Sequence, residues 1–348
     1  MEFFSAIKYF LSLHEEPNDM NNFKANFIAN LPHLKASEFN ENALELFNYQ
    51  YANNLLYQQF CDYLHRSPGN VKAIAQIPFL PIEFFKNHQI VCGQFSDFTV
   101  FESSGTTDVT LKSKHYVADL PFYLNHAEHI FNEWYGNLEE YTLLALLPNY
   151  LERSNSSLIA MVDDFIKKTN NPDSGYYLYN HEALVEKLKN RKGKTMLIGV
   201  TFALLDLAEK FQVDLHEVIV METGGMKGQR KELLREEVHR ILNAAFNTQT
   251  IHSEYGMTEL LSQAYSKGDG LFETPSSMKI LLRDINDPLT INNQLRYGGI
   301  NVIDLANIDS CAFIATQDLG RMKENGCFEV IGRFDSSDTR GCNLMVVD

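Results

Sequence analysis

Phe101-Glu102-Ser103-Ser104-Gly105-Thr106-Thr107-Asp108 is followed closely by Lys112 and Lys114. Helix and strand are disfavoured in this stretch, because glycine loses more backbone entropy on folding than other residues and Ser/Thr side chains compete for backbone partners. A loop of this composition offers backbone N–H groups and hydroxyls, with ammonium groups nearby, which suits the oxygens of a phosphate chain. By itself the stretch is more typical of an ordinary polar turn. Segments elsewhere in the sequence are needed to distinguish the two interpretations.

Strands and helices alternate on the C-terminal side of this loop. Continuous apolar runs predict strands at 142–147, 195–200 and 218–221, because a strand covered on both faces is apolar throughout. Helices are predicted at 118–135, 157–168 and about 202–211, and a long charged helix is predicted to follow the third strand as far as about residue 246. This pattern is typical of an α/β fold with a parallel sheet.

The N-terminal part of the chain has a helical and aromatic pattern up to about residue 75, beginning with a predicted helix at 1–13. Pro78 and Pro81 interrupt this pattern, because two prolines three residues apart do not fit inside a regular helix. We therefore expect residues 77–85 to form an extended connector pressed onto the core. The packed helical face is predicted to contain Leu44, Phe47, Tyr51, Leu55 and Tyr57.

The C-terminal part, beyond Met278, contains short apolar runs separated by Gly and Asn turns, at 279–282, 301–304, 312–314 and 328–331. Such runs predict an antiparallel sheet or a small barrel. These patterns divide the chain into three predicted regions: a helical N-terminal region (1–95) packed on the core, an α/β core (96–276), and a β-rich closing subdomain (277–348).

Composition excludes several classes of partner. The formal net charge of −15 argues against general binding to nucleic acid or anionic membranes, since phosphate binding needs clustered Lys and Arg. The five cysteines are scattered without CxxC spacing, as expected for reduced thiols in the cytoplasm. No stretch is long and apolar enough to span a bilayer, and Glu2 stands where a signal peptide needs positive charge. We expect a cytoplasmic protein.

Common catalytic motifs are missing. Gly193-Lys194-Thr195 resembles the end of a P-loop, but it lacks the earlier glycine and precedes a strand instead of following one. Neither HExxH nor GxSxG occurs in the sequence. His126 and His129 lie three residues apart on one predicted helix, where packing or surface roles are commoner than metal binding without further ligands.

Polar groups follow predicted strands at three further places, where α/β proteins commonly bind ligands. The Gly224–Gly225 pair would let backbone approach a flat ring. In Ser253–Glu259, Tyr255 offers a stacking face, while Thr258 and Glu259 offer hard oxygens for Mg²⁺. In Thr316–Gly320 and 332–335, Asp318 could accept two vicinal hydroxyls and Arg333 could reach ribose or phosphate. Each of these segments alone is also compatible with a plain turn.

Taken in order, these motifs resemble the series found in adenylate-forming enzymes, the superfamily of acyl-CoA synthetases, luciferases and adenylation domains. The resemblance runs from about residue 77 to the C-terminus. Within the superfamily the chain is similar to the acyl-protein synthetases, the LuxE-like branch. The segments that carry the second resemblance are 77–86, 146–153 with Ser156-Ser157, 222–228 and 340–344.

The resemblance implies ATP-dependent, AMP-forming activation of a carboxylic acid, with a fatty acid as the expected substrate and with ATP and Mg²⁺ as cofactors. The implied fold is the adenylate-forming large domain, with parallel α/β sheets and a small antiparallel β subdomain. It implies that Glu259 holds Mg²⁺ and Thr258 contacts the α-phosphate. The implied nucleotide-binding residues are Ser103, Ser104, Gly105, Thr106 and Thr107 for the β- and γ-phosphates, Gly224, Gly225 and Tyr255 for adenine, and Asp318 with Arg333 for ribose.

Two features depart from the commonest pattern of the superfamily. Asp108 stands where a glycine is usual, and its charge opposes a triphosphate unless it points away or binds Mg²⁺. Most members continue past the Gly-Arg-x-Asp segment into a mobile C-terminal domain with a catalytic lysine, whereas this sequence stops at Asp348, as the short acyl-protein synthetases do. The expected fold therefore has the C-terminal mobile domain missing. Lys114 is the candidate catalytic cation, with Lys112 and Lys227 as alternatives.

The acyl acceptor implied by the resemblance is a thiol. Cys342 matches the cysteine near the C-terminus that accepts the acyl group in acyl-protein synthetases, and Arg340 could favour its thiolate. A buried structural thiol is the alternative. Candidate partners are an acyl carrier protein, coenzyme A or an acyl reductase. Two other functions stay open: a nucleotide-binding scaffold subunit without turnover, and an acyl-CoA ligase completed by another chain.

Overall fold

The computed structural model describes residues 17–103, 112–147, 155–224, 233–292 and 295–334. The predicted helix at 1–13 lies outside these residues. The helices are α1 (Pro17–Asn30), α2 (Phe39–Asn53), α3 (Leu55–Tyr63), α4 (Phe84–Asn87), α5 (Leu120–Tyr135), α6 (Ser157–Lys168), α7 (His181–Lys189), α8 (Thr201–Lys210) and α9 (Arg235–Phe246). The strands are β1 (Leu80–Pro81), β2 (Thr99–Glu102), β3 (Lys114–Val117), β4 (Tyr141–Leu146), β5 (Gly175–Tyr176), β6 (Lys194–Gly199), β7 (Val218–Glu222), β8 (His252–Tyr255), β9 (Ala264–Ser266), β10 (Met278–Arg283), β11 (Gly298–Asp304), β12 (Phe313–Met322) and β13 (Phe328–Arg333).

A six-stranded sheet forms the centre of the described chain, in the order β5-β4-β6-β7-β8-β9. Neighbouring strands are parallel from β5 to β8, and β9 runs antiparallel to β8. Every residue of β4 is buried, which explains its continuous apolar run. The predicted α/β fold with a parallel sheet is confirmed. Because parallel strands end at the same edge, the segments that follow β7 and β8 lie side by side.

A second, five-stranded sheet is built mainly from the C-terminal strands. It has the order β1-β12-β11-β10, with β13 paired to the other part of β12. The pairs among β10 to β13 are antiparallel, which confirms the predicted antiparallel sheet. Strand β12 is longer than the predicted 312–314, and its register shifts between Leu319 and Gly320. A Cβ at Gly320 would lie 2.7 Å from the Ile300 side chain, so the two strands can approach closely only at a glycine.

The proline-containing connector joins the N-terminal region to this second sheet. Strand β1 pairs in parallel with β12, with Leu80 opposite Ile314, and the Ile82 N–H donates to the Ala315 carbonyl at 3.0 Å. The extended conformation predicted for 77–85 holds as far as Pro81. It ends there, because α4 begins at Phe84 as a single helical turn.

The N-terminal helices are anchored on the connection between β11 and β12 through two buried amides. Gln50 Nε2 donates to the Asn307 carbonyl at 2.8 Å, and Gln50 Oε1 accepts from the Ala312 N–H at 2.9 Å. Asn54 Nδ2 donates to the Ser310 carbonyl at 3.0 Å, and Asn54 Oδ1 caps α3. The predicted packed face is wrong at Leu55, which is 68% exposed, because the break at Asn54 turns the next helix away from the spacing of α2.

Two further predictions about helices differ in outcome. The helix predicted at 157–168 has these bounds in the structure, with Ser156 as its N-cap. The long helix predicted after the third strand is shorter than expected: α9 begins at Arg235, because Leu234 before it is extended. Among the described residues, none of the helices combines the length and apolar composition needed to cross a membrane.

Candidate functional site

The two sheets meet at a hydrogen-bonded cluster made of Tyr255, Asp318 and Arg333. The Tyr255 hydroxyl donates to Asp318 Oδ2 at 2.9 Å, and Arg333 Nε lies 3.4 Å from Asp318 Oδ1. Asp318 and Arg333 are paired across β12 and β13, whereas Tyr255 ends β8 of the central sheet. Burial raises the pKa of Asp318, and the Arg333 charge and the Tyr255 hydroxyl act in the opposite direction. Three of the predicted nucleotide-binding residues are therefore in contact.

Glu259 lies next to this cluster, on the loop that follows β8. Its side chain is buried, and burial raises the pKa of its carboxyl. A hydrogen bond from Ser113 and the charge of Arg333 act in the opposite direction, while the charge of Asp318 raises the pKa further. Glu259 is therefore close enough to Asp318 and Arg333 for both charges to affect the pKa of its carboxyl. Burial of a carboxylate without full charge compensation is the situation in which a bound cation stabilises the charged form.

The hairpin of β2 and β3 brings the base of the hydroxyl-rich loop to the same place. Glu102 pairs with Lys114 in its ladder. The Ser103 N–H donates to the Ser113 carbonyl at 3.0 Å, and the Ser113 N–H donates to Ser103 Oγ at 3.0 Å. Because Ser113 also bonds Glu259, Ser103 is placed one residue away from the acidic site.

Gly224 lies after β7, at the adjacent position on the sheet edge. Its N–H donates to Glu222 Oε2 at 2.8 Å, and its φ of +72° is in the left-handed region that favours glycine. No atom lies within 4 Å of the place where a Cβ would stand. This open space is compatible with the predicted approach of a flat ring to the backbone.

Glu222 itself is an internal anchor. Burial alone would raise its pKa, but His239, Arg235, Ser253 and Thr201 stabilise the charged form and lower the pKa to about 2. Thr201 Oγ1 donates to Glu222 Oε2 at 2.8 Å, and Arg235 Nε lies 3.3 Å from Oε1. Its carboxylate oxygens therefore hold the turn after β7 in place.

Lys114 is the predicted catalytic residue that the structure does not bring to this site. Its side chain is exposed, whereas Ser113 and His115 on either side of it in the chain are buried. Since successive side chains of a strand point to opposite faces, Lys114 faces away from Glu259. Thr258 is adjacent to Glu259 and half-buried. Several predicted site residues lie outside the described residues: Ser104, Gly105, Thr106, Thr107, Gly225 and Cys342.

Three residues of the site neighbourhood were not predicted from sequence. His115 and Asn307 contact the backbone of the Thr258–Glu259 segment, and Gln317 Nε2 donates to Glu83 Oε1 at 2.6 Å beside Arg333. His115 and Asn307 are single polar residues in segments with no motif of their own, whereas Gln317 lies in the Thr316–Gly320 motif but had no predicted role. The contacts depend on chain pairings that join positions far apart in the sequence, so local patterns contain no signal for them.

Known structures with a similar fold were found at low sequence identity. A 2-hydroxyisobutyryl-CoA ligase in complex with 2-HIB-AMP and CoA matches with a TM-score of 0.65 at 14% identity, over 87% of this chain and 69% of that chain. An open conformation of the same ligase gives 0.61 at 13% identity, over 85% and 69%. ATP-bound MatB from Rhodopseudomonas palustris gives 0.50 at 14% identity, over 67% of this chain and 47% of that chain, so the match spans about half of MatB.

These comparisons establish the class of fold. The chain has the mixed α/β fold of the N-terminal domain of adenylate-forming ligases, as expected from the motif series. No protein-family model and no curated protein matches the chain.

Proposed function

We propose that the chain binds ATP at the shared sheet edge and activates a carboxylic acid as its acyl-adenylate. The observation that carries the proposal is the convergence of Tyr255, Asp318 and Arg333 with Glu259 and Ser103. These residues come from two sheets and a hairpin, yet they form one continuous neighbourhood. An unrelated set of solvated turns would not be expected to meet in this way.

Each part of the nucleotide is assigned to groups of suitable chemistry. Asp318 accepts the ribose hydroxyls and Arg333 lies beside them, since a carboxylate can accept from two vicinal hydroxyls. The ring of Tyr255 and the open backbone at Gly224 flank adenine. Ser103 begins the loop proposed for the β- and γ-phosphates, which continues through Ser104, Gly105, Thr106 and Thr107, and Gly225 extends the adenine site.

The buried carboxylate of Glu259 and the hydroxyl of Thr258 fit a magnesium ion, because hard oxygens are its preferred ligands. When bound, Mg²⁺ would neutralise charge on the phosphate oxygens. Glu259 would then be held in its charged form, against the effect of burial. Ser113 already stabilises this form through its hydrogen bond to the carboxylate.

In the proposed reaction a carboxylate oxygen of the acid attacks the α-phosphorus of ATP, and the bond to pyrophosphate breaks. Thr258 orients the α-phosphate, and the surrounding residues supply positioning and charge rather than covalent chemistry. A thiolate then attacks the acyl carbonyl carbon, and AMP leaves. We propose a fatty acid as substrate and a protein thiol, either Cys342 or a partner's, as acceptor. Lys114 has no role in this scheme, because it faces away from the site.

The test of activation is acid-dependent exchange of labelled pyrophosphate into ATP, measured with a panel of acids of increasing chain length. We expect exchange with at least one acid and a loss of roughly a hundredfold in Glu259→Gln, a typical size for an electrostatic group at the reacting centre. Glu273→Gln is the matched control, because Glu273 is exposed. Nucleotide binding without exchange for any acid would favour the scaffold alternative.

The acyl acceptor needs a separate experiment. With a labelled acid and ATP, we expect a hydroxylamine-labile label on the protein that Cys342→Ser removes while leaving exchange unchanged. Label that appears on added coenzyme A instead would favour the acyl-CoA ligase alternative.

A further inference from the structure

His115 is a fully buried residue of β3, beyond the hydroxyl-rich loop, and no motif contains it. Its ring packs edge-on against Phe85, with ring centroids 6.0 Å apart. The site described above leaves its role unassigned. Its contacts nevertheless point to the segment that carries two of the proposed catalytic residues.

The two ring nitrogens lie against oxygen atoms on two different loops. Nδ1 is 2.9 Å from the Thr258 carbonyl, and Nε2 is 3.0 Å from Asn307 Oδ1. Both partner atoms are acceptors, and a neutral imidazole carries a single N–H. With this N–H on Nδ1 the ring donates to the Thr258 carbonyl, and Nε2 packs against Asn307 without a hydrogen bond. Asn307 is buried and donates from Nδ2 to the Glu259 carbonyl at 2.8 Å. The consecutive carbonyls of Thr258 and Glu259 are thus held by His115 and by the amide packed against it.

The residue immediately before β3 also holds the Glu259 side chain. Ser113 precedes His115 by two residues, so both side chains lie on one face of the chain, and Ser113 bonds the Glu259 carboxylate. Ser113 is in turn tied to Ser103 by two hydrogen bonds. One short segment therefore connects the start of the proposed phosphate loop to both the backbone and the carboxylate of the proposed metal-binding segment.

We propose that His115 is a positioning residue that fixes Thr258 and Glu259 for Mg·ATP, an inference that rests on the proposed function. Without the imidazole, the Thr258 carbonyl loses its buried donor and Asn307 loses the ring packed against it. Both losses allow the segment to move. The effect is expected mainly on the magnesium-dependent part of nucleotide binding, because Glu259 is the proposed metal ligand.

The test compares ATP binding by calorimetry with excess Mg²⁺ and with EDTA. We expect His115→Phe to weaken Mg·ATP binding by roughly tenfold, the effect of one well-placed buried hydrogen bond, and to change binding in EDTA much less. His115→Gln should recover part of the loss, because its amide can still donate. His181→Phe is the matched control, since His181 is also buried but lies on α7.

Asn307→Leu provides a second variant if His115→Phe does not fold, as judged by its thermal transition. It has similar volume and removes the donor to the Glu259 carbonyl, so the same magnesium-specific loss is expected. An equal loss with Mg²⁺ and with EDTA, or no loss in either variant, would overturn the inference. Wild-type protein that binds no Mg·ATP would overturn both proposals. Wild-type protein that binds Mg·ATP without acid-dependent exchange would overturn acid activation alone and leave the role of His115 to the variants.

Discussion

Asp318 joins the two sheets, because its carboxylate accepts a hydrogen bond from the central sheet and forms an ion pair within the second sheet. Its two carboxylate oxygens face the Tyr255 hydroxyl and the Arg333 guanidinium, at 2.9 and 3.4 Å. Asp318→Asn keeps the shape but removes the charge. We expect it to weaken ATP binding about tenfold or more, because hydrogen bonds to a charged acceptor are worth roughly 1.5–3 kcal/mol. Calorimetric titration measures this directly, with Asp97→Asn at an exposed position as control. Unchanged affinity would remove Asp318 from the nucleotide site.

Glu254 is an unusual residue one position before Tyr255. Burial and the nearby charge of Glu222 raise the pKa of its carboxyl to about 8, from a usual value of 4.5. The folded protein therefore keeps a proton that the unfolded chain releases between these two pH values. Stability conferred by this proton is complete below pH 4.5 and is lost as the pH rises to about 8.

The variant Glu254→Gln mimics the protonated form at every pH. We expect it to be more stable than wild type at pH 8, by about 1–3 kcal/mol for a half-buried group, and nearly equal to wild type at pH 4.5. Urea denaturation at the two pH values provides the measurement. A difference that does not grow with pH would contradict the raised pKa.

At the scale of elements, Asn54 connects the helical region to the second sheet. Its Oδ1 caps α3 by accepting from the Tyr57 N–H at 3.0 Å, and its Nδ2 donates to the Ser310 carbonyl at 3.0 Å. Asn54→Ala should cost about 2–3 kcal/mol of unfolding free energy, the sum of a lost N-cap and a lost buried hydrogen bond. Thermal or urea unfolding measures the loss. Asn42→Ala, which removes an exposed bond to the Glu38 carbonyl, should change stability by less than 1 kcal/mol.

Elements defined by their own local pattern could be predicted from the sequence. Helix α6 has a capping serine and apolar spacing that stops at two lysines, and its predicted bounds match the structure. Strand β4 is buried along its whole length, and this burial matches the apolar run from which it was predicted. The predicted bounds were less accurate for elements whose ends depend on residues far away in the sequence. The length of β12 depends on its pairing with three other strands, and the short α9 depends on the extended backbone at Leu234.

The same distinction applies to the candidate site. Tyr255, Asp318 and Glu259 could be proposed from sequence because each belongs to a short motif that follows a predicted strand, although Asp318 lies within β12 in the structure. Their mutual contacts are structural findings. The direction of the Lys114 side chain could not be predicted, since it depends on which side of the β2–β3 hairpin packs on the core. Contacts of His115 with loops more than 140 residues away are equally invisible to local patterns.

At the scale of the whole molecule, buried titratable groups on several elements decide the pH range in which the fold is most stable. Burial lowers the pKa of His126 to about 3 and that of His252 to about 4. Both groups stay neutral in the fold, while the unfolded chain binds protons below about pH 6.5. Their stabilising effect is therefore complete above pH 6.5 and is lost as the pH falls towards 3–4.

Two buried glutamates also make stability depend on pH, and their effects have opposite signs. The lowered pKa of Glu222, about 2, confers stability that is present above pH 4.5 and lost below it. The raised pKa of Glu254 reduces stability as the pH rises from 4.5 to about 8. All of these effects except that of Glu254 reduce stability on acidification, and below pH 4.5 nothing from Glu254 opposes them.

Two histidines outweigh Glu254 below pH 6.5, so we expect an asymmetric stability profile with a maximum near pH 6.5, a steep fall on the acid side and a gentle fall on the alkaline side. Urea denaturation from pH 3 to 9 gives the profile. Replacing His126 by Phe should make the acid limb shallower, because that site then no longer takes up a proton on unfolding, whereas Glu254→Gln should flatten the alkaline limb. His33→Phe, a change at an exposed position, serves as the control for the first variant and should leave both limbs as they are. A symmetric profile, or an acid limb with the same slope in His126→Phe as in wild type, would show that the acid sensitivity comes from other groups.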